Sequence, residues 1–154
     1  MAARRDHVTR LIEPSLAQGI WVVSDRFADS TLAYQGYGKG LPLADLAALH
    51  HLALGAFAPD LTLILDLPIE IGLARAAGRG IGTDRFEGLD AAFHQRLRQG
   101  FREIAAQDAA RCVLLDASVD PQAVHRAVLD AVEERLGMRL PAAIRESRSD
   151  DLVF

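Results

Sequence analysis

"LTLILDLPIEIGLARAAG" runs from Leu61 to Gly78. It is apolar on both sides of the chain until Asp66, which predicts a strand over 61–68 buried on both faces, as in a parallel sheet. Pro68 suits a helix start and Gly78 a helix stop, so a helix is expected over 69–78. A strand buried on both faces and followed directly by a helix is half of a βαβ unit.

The same alternation extends in both directions. Upstream, Val8, Leu11, Ile12 and Leu16 recur at helical spacing, predicting a helix over 2–18 that Pro14 should bend and Gly19 should stop. "IWVVSD" (20–25) reads as a short buried strand, and 41–55 as a helix with Pro42 near its start and Gly55 at its end. Downstream, 79–88 is a loop rich in Gly and Arg. Leu89, Phe93, Leu97, Phe101 and Ile104 stripe a helix over 89–108. "CVLLDA" (112–117) reads as the third strand. Asp120 and Pro121 suit a helix cap and first turn, and Val124, Val128, Val132 and Leu136 stripe the helix that follows. The fold class is therefore α/β, helices flanking a parallel sheet. The segment from Gly137 to Phe154 lacks a clean period and reads as a mobile extension.

The chain has 154 residues, one domain's worth, with a net charge of −4 that gives no basic field for nucleic acid. Its only cysteine, Cys112, sits in a strand and leaves no intrachain disulfide to form, which fits a reducing cytoplasmic setting. No stretch reaches the roughly 18 apolar residues of a membrane span, and no spacing of His with Cys or carboxylates argues for zinc. Of the 17 basic residues, Lys39 is the only lysine.

All three strands end in an aspartate: Asp25, Asp66 and Asp116. Ligands of open parallel sheets lie beyond the carboxyl ends of the strands, so each is a site candidate, although Asp also serves turns and caps there. "SDRFADSTLAYQGYGKG" (24–40) has the richest chemistry. Arg26 can grip a phosphate through two parallel hydrogen bonds, or pair with Asp25 or Asp29. Tyr34 and Gln35 offer a flat face and a two-ended amide suited to a base, or Tyr34 belongs to the core. Ser30 and Thr31 offer hydroxyls, or a helix cap. The loop 78–88 carries Arg79 and Arg85 among glycines, as a lid closing over phosphates would, or an ordinary surface loop.

Taken together, these segments resemble bacterial thymidylate kinases. "WVVSDRFADSTLAYQGYGKGL" resembles their Asp-Arg segment, "PDLTLILDLPIEIGLARAAGRG" the next strand and the entry to the lid, and "DRFE" the lid's exit. "FREIAAQDAARCVLLDAS" resembles a helix and the last strand, and "AARRDHV" the helix beneath the thymine. The resemblance runs over residues 2–136 and implies ATP + dTMP → ADP + dTDP with Mg²⁺. It implies that Arg26 binds the dTMP phosphate and that Asp25 sits near the metal and the transferring phosphoryl group. Thr31, Tyr34 and Gln35 would face the thymine and sugar. Arg4, or Arg5 if the register slips by one, would meet a thymine carbonyl. Arg79 and Arg85 would neutralise transition-state charge, Arg75 would stack on adenine, and Ala117 and Ser118 would lie near it. A homodimer through helices is also implied.

The family begins with a strand and a Gly-x-x-x-x-Gly-Lys-(Ser/Thr) loop that cradles the ATP phosphates. These 154 residues contain no such motif. The expected architecture is therefore an incomplete P-loop-kinase-like sheet lacking its first two strands and its P-loop. Residues 1–136 would form the C-terminal two-thirds of a nucleoside monophosphate kinase domain, whether from an internal start or a truncated gene. The strand at 20–25 should then lack both sheet neighbours. The chain alone should be inactive; the alternative is a non-catalytic dTMP-binding remnant, or a partner of another chain.

Overall fold

The computed structural model describes residues 2–78 and 91–146. The chain divides into two compact units, Met1–Ala58 and Pro59–Phe154.

The first unit opens with one continuous helix: α1 (Ala2–His7), a π-helical segment (Val8–Ile12) and α2 (Glu13–Ala17). The wide turn answers Pro14. Proline lacks an N–H and its ring crowds the carbonyl four residues back. Here the preceding turn is π-helical, Glu13 N–H reaching Val8 O, and the helix passes through the proline without ending. It stops at Gly19, whose φ of +74° suits glycine.

The run at 20–25 does not pair, as expected of a strand that lacks both sheet neighbours. From Trp21 to Asp25 the backbone finds no ladder among the described residues, and the sheet contains only two strands, both in the other unit. Period-2 burial survives in part. Val22 packs on the core, while Trp21 is 58% and Val23 94% exposed. Apolar content had marked this run as a strand, but a strand needs neighbours for its N–H and C=O groups. The rest of the unit comprises α3 (Ala28–Thr31), a second π-helical segment (Leu32–Gly38) and α4 (Leu43–Leu54). Gly36 lies where a Cβ would collide with the Leu43 side chain, so glycine permits this approach of the π-helical segment to α4.

The core of this unit is Val8, Ile12, Phe27 and Leu54, ringed by Val22, Ala28, Ala53 and Phe57. Phe27 and Phe57 meet edge to face, with centroids 6.1 Å apart. Burying four such side chains contributes about 2 kcal/mol each. Phe27 thus pins the polar segment 24–40 near its start.

The second unit is built on β1 (Thr62–Asp66) and β2 (Cys112–Asp116), paired in parallel with Thr62 opposite Cys112 and Asp66 opposite Asp116. Helix α5 (Ile69–Gly78) follows β1, as its flanking Pro68 predicted. Helix α6 (Ala91–Gln107) packs on both strands and α7 (Pro121–Leu136) on β2. Buried Ile64 and Cys112 face the inward stripe Phe93, Leu97, Ile104 and Ala105. On α7 the deepest residues are Leu129 and Ala131, whereas Val124, Val128 and Val132 are half-buried. Leu129 and Ala131 flank the expected valine stripe of that helix on either side. Its cap is as expected: the Asp120 side chain accepts from Ala123 N–H at 3.0 Å.

Within the segment expected to be a mobile extension, Gly137 closes α7 in the left-handed conformation and α8 (Ala142–Glu146) follows. Glu133 accepts from the Leu140 N–H at 2.7 Å and pairs with Arg145, which also reaches Asp130 at 3.1 Å. These hydrogen bonds order residues 137–146.

Candidate functional site

The first unit contains six of the candidate residues: Arg4, Asp25, Arg26, Thr31, Tyr34 and Gln35. Arg4 projects from α1 and donates to the Thr31 hydroxyl at 2.9 Å and to the Phe27 carbonyl at 3.1 Å, its guanidinium lying over the Phe27 ring. Burial pushes the Arg4 guanidinium below its ordinary value, and the charge of buried Asp29 pulls it back. Arg5 turns the other way, toward the Ala53 carbonyl at 3.5 Å. Arg4, not Arg5, is thus the arginine beside Thr31.

Arg26 has φ +66°, and no other described non-glycine residue has a positive φ. A left-handed residue with a Cβ is strained by about 1 kcal/mol, and such strain gathers at functional sites. The turn sets the guanidinium 4.2 Å from the centre of the Tyr34 ring. Tyr34 and Gln35 lie half-buried in the π-helical segment Leu32–Gly38, an irregularity frequent at functional sites. Asp25 is exposed, and among the described residues no side chain pairs with its carboxylate. No group of three or more His, Cys, Asp or Glu that could hold a metal occurs among the described residues. A single open carboxylate still fits magnesium, which takes one or two carboxylates and fills its octahedron with water and substrate phosphate.

In the second unit, the parallel register brings three further candidates together. Arg75 on α5 donates to the Ala117 carbonyl at 2.9 Å, just past the end of β2. Ser118 donates its N–H and its hydroxyl to Asp116 Oδ1, at 2.8 and 2.6 Å. The two bonds hold the Asp116 carboxyl below its usual range, the hydroxyl contributing most. Asp116 therefore builds the turn that presents Ala117 and Ser118. Arg79 and Arg85 lie outside the described residues.

Asp66 is neither a cap nor an open acid. Arg98 grips it through two parallel bonds of 2.7 and 2.8 Å, and Arg102 adds a third at 3.1 Å. The Arg98 bonds hold its carboxyl below the ordinary 3.8, against the opposing effect of burial. Sequence reasoning missed both arginines. The available signal was their spacing: residues 98 and 102 lie one turn apart on a helix that had to cover β1.

The parallel sheet and the helices packed on it make an α/β fold. The thymidylate kinase family model matches residues 1–128. A thymidylate kinase of Bradyrhizobium diazoefficiens is 54% identical over 145 residues, 93% of this chain and 63% of that protein. One from Caulobacter vibrioides is 54% identical over 137 residues, 89% of this chain and 65% of its own length. The crystal structure of thymidylate kinase from Ehrlichia chaffeensis superposes with a TM-score of 0.62 at 32% identity, covering 85% of this chain and 59% of that one. This chain belongs to the thymidylate kinase family. It spans less than two-thirds of the length of these relatives, in keeping with an incomplete sheet. No helix among the described residues is long and apolar enough to cross a membrane.

Proposed function

We propose that this chain carries the acceptor side of a thymidylate kinase, the enzyme that moves the terminal phosphoryl group of ATP to dTMP and releases ADP and dTDP. The observation that carries the reading is the left-handed Arg26 braced on Tyr34, beside an open Asp25, within a chain of this family. In this reading Arg26 grips the dTMP phosphate with paired N–H groups. Arg4 and Thr31, already bonded to each other, face the base, and Gln35 offers its amide to the base edge. Asp25 holds a magnesium ion, which neutralises phosphate charge when bound. Arg75, Ala117 and Ser118 form an adenine-side shelf, and Arg79 and Arg85 supply positive charge to the transferring group.

Phosphoryl transfer is catalysed almost wholly by positioning and charge neutralisation around the phosphates. The 154 residues hold no Gly-x-x-x-x-Gly-Lys loop to provide the donor cradle. A coupled ATP/dTMP assay on this chain should therefore read background, and robust turnover would overturn that expectation. A second reading, a dTMP-binding half completed by another polypeptide, is supported by the unpaired Trp21–Asp25 run with its exposed Trp21 and Val23. Adding a polypeptide that carries the phosphate loop and its strand should then restore turnover. Exposed Leu49 and Leu52 on α4 suit a helix-to-helix homodimer, which sedimentation by ultracentrifugation tests.

A further inference from the structure

Resting on the reading that Arg4 faces the base, we propose that Asp29 is the positioning residue for that arginine: its buried carboxylate fixes the guanidinium over the start of α3 before any nucleotide arrives. Asp29 is 7% exposed, the only polar or charged residue so deeply buried among the described ones. Withdrawing a carboxylate from water is costly unless an opposite charge or hydrogen bonds compensate it. Arg4 supplies the charge: Asp29 attracts the guanidinium and opposes the effect of its burial. The geometry agrees. Asp29 lies in α3 (Ala28–Thr31), midway in sequence between the two groups that accept from Arg4 Nη2, the Phe27 carbonyl at 3.1 Å and the Thr31 hydroxyl at 2.9 Å. The Phe27 ring meets the same guanidinium at 5.3 Å.

Those neutral contacts give the guanidinium a direction, because its donors lie in one rigid plane. They leave unexplained why an acid is buried beside them. A first-turn acid serves a helix equally well from water, so a role in α3, which has only four residues, does not call for burial. Pairing with Arg4 does. A long arginine otherwise samples many rotamers, and the buried charge removes that freedom without touching the ligand. A donor fork that is already aimed loses less order when a base carbonyl meets it, which is how preorganisation raises affinity. Asp29 thus serves the base through Arg4, rather than by contact.

The test is an NMR titration of the 154-residue chain with dTMP and, separately, with 2-deoxyribose 5-phosphate, which lacks the base. Asp29→Asn keeps the side-chain size and removes the charge. It should weaken dTMP by about two- to tenfold and leave the sugar phosphate within about two-fold. In an Arg4→Ala background it should cause no further loss. Equal losses for both ligands, losses that add to those of Arg4→Ala, or unchanged dTMP binding would overturn the proposal. If the wild-type chain binds neither ligand, the acceptor-site reading itself fails, and the pairing is then decided by thermal unfolding. Arg4→Ala leaves a buried charge without that partner. Asp29→Asn should therefore lower the unfolding temperature of the wild type but raise that of Arg4→Ala, a comparison that holds even if Asp29→Asn alone does not fold. Lowering in both backgrounds would refute the pairing.

Discussion

Replacing Asp66 with Asn removes one negative charge from the strand end while changing the side-chain volume little. Three charge-assisted bonds meet that carboxylate, at 2.7, 2.8 and 3.1 Å. Hydrogen bonds to charged groups are each worth about 1.5–3 kcal/mol. The full sum overstates the loss. The Arg98 and Arg102 side chains are 32% and 48% exposed, so water screens them, and Asn keeps one acceptor. The expected cost at pH 7 is about 2 kcal/mol, a factor of about 30 in the folding equilibrium. The pH dependence follows from the sign. The folded carboxyl titrates below its ordinary 3.8, so its stabilisation is complete above that value and is lost as pH falls through the lower, folded value. Urea unfolding followed by circular dichroism should show wild type and variant separated by a constant gap from pH 7 to about pH 5, narrowing below about pH 4. A gap under about 0.5 kcal/mol at pH 7, the level of an ordinary surface change, or one unchanged at pH 2, would refute the reasoning.

At Arg26 the usual ranking of alanine over glycine should invert: at φ +66°, Arg26→Gly should be more stable than Arg26→Ala by about 1 kcal/mol in thermal unfolding. Asp120→Ala, which removes the acceptor for the Ala123 N–H, should cost about 1 kcal/mol in the same measurement. The Arg145 pairing and the Leu140 N–H hold the Glu133 carboxyl below its ordinary 4.5. Glu133→Gln should therefore speed amide exchange over 138–146, and the wild type should approach the variant as pH falls below about 4.5. Unchanged exchange in Glu133→Gln would show that other contacts hold α8.

Much of the fold was legible because local chemistry and tertiary context agree. Pro68 and Gly78 bound α5, Asp120 caps α7, and Phe93, Leu97 and Ile104 mark the buried line of α6. The candidate site residues were legible only as types in an order: an Asp-Arg pair, hydroxyls, then Tyr-Gln. What remained open were choices between partners distant in sequence. That Arg4 meets Thr31 while Arg5 reaches Ala53 depends on segments 27 and 48 residues away. The role of Asp66 depends on arginines 32 and 36 residues away.

The sequence by itself determined the alternation of strand and helix, the family, and the set of groups available for phosphate and nucleoside chemistry. Periodicity, caps and motif order are local, and they survive without a fold. Apolar content did not decide whether a run becomes a strand; the loss of its neighbours was expected from the missing segments, and the tertiary structure shows its consequence. "IWVVSD" and "LTLILD" look alike as sequences, yet the second finds β2 and the first finds no partner among the described residues. A strand is a property of two segments, because its backbone hydrogen bonds must be made by another chain segment. The left-handed turn of Arg26 and its seat on Tyr34 are likewise invisible in one dimension: they arise from the backbone geometry around core-anchored Phe27.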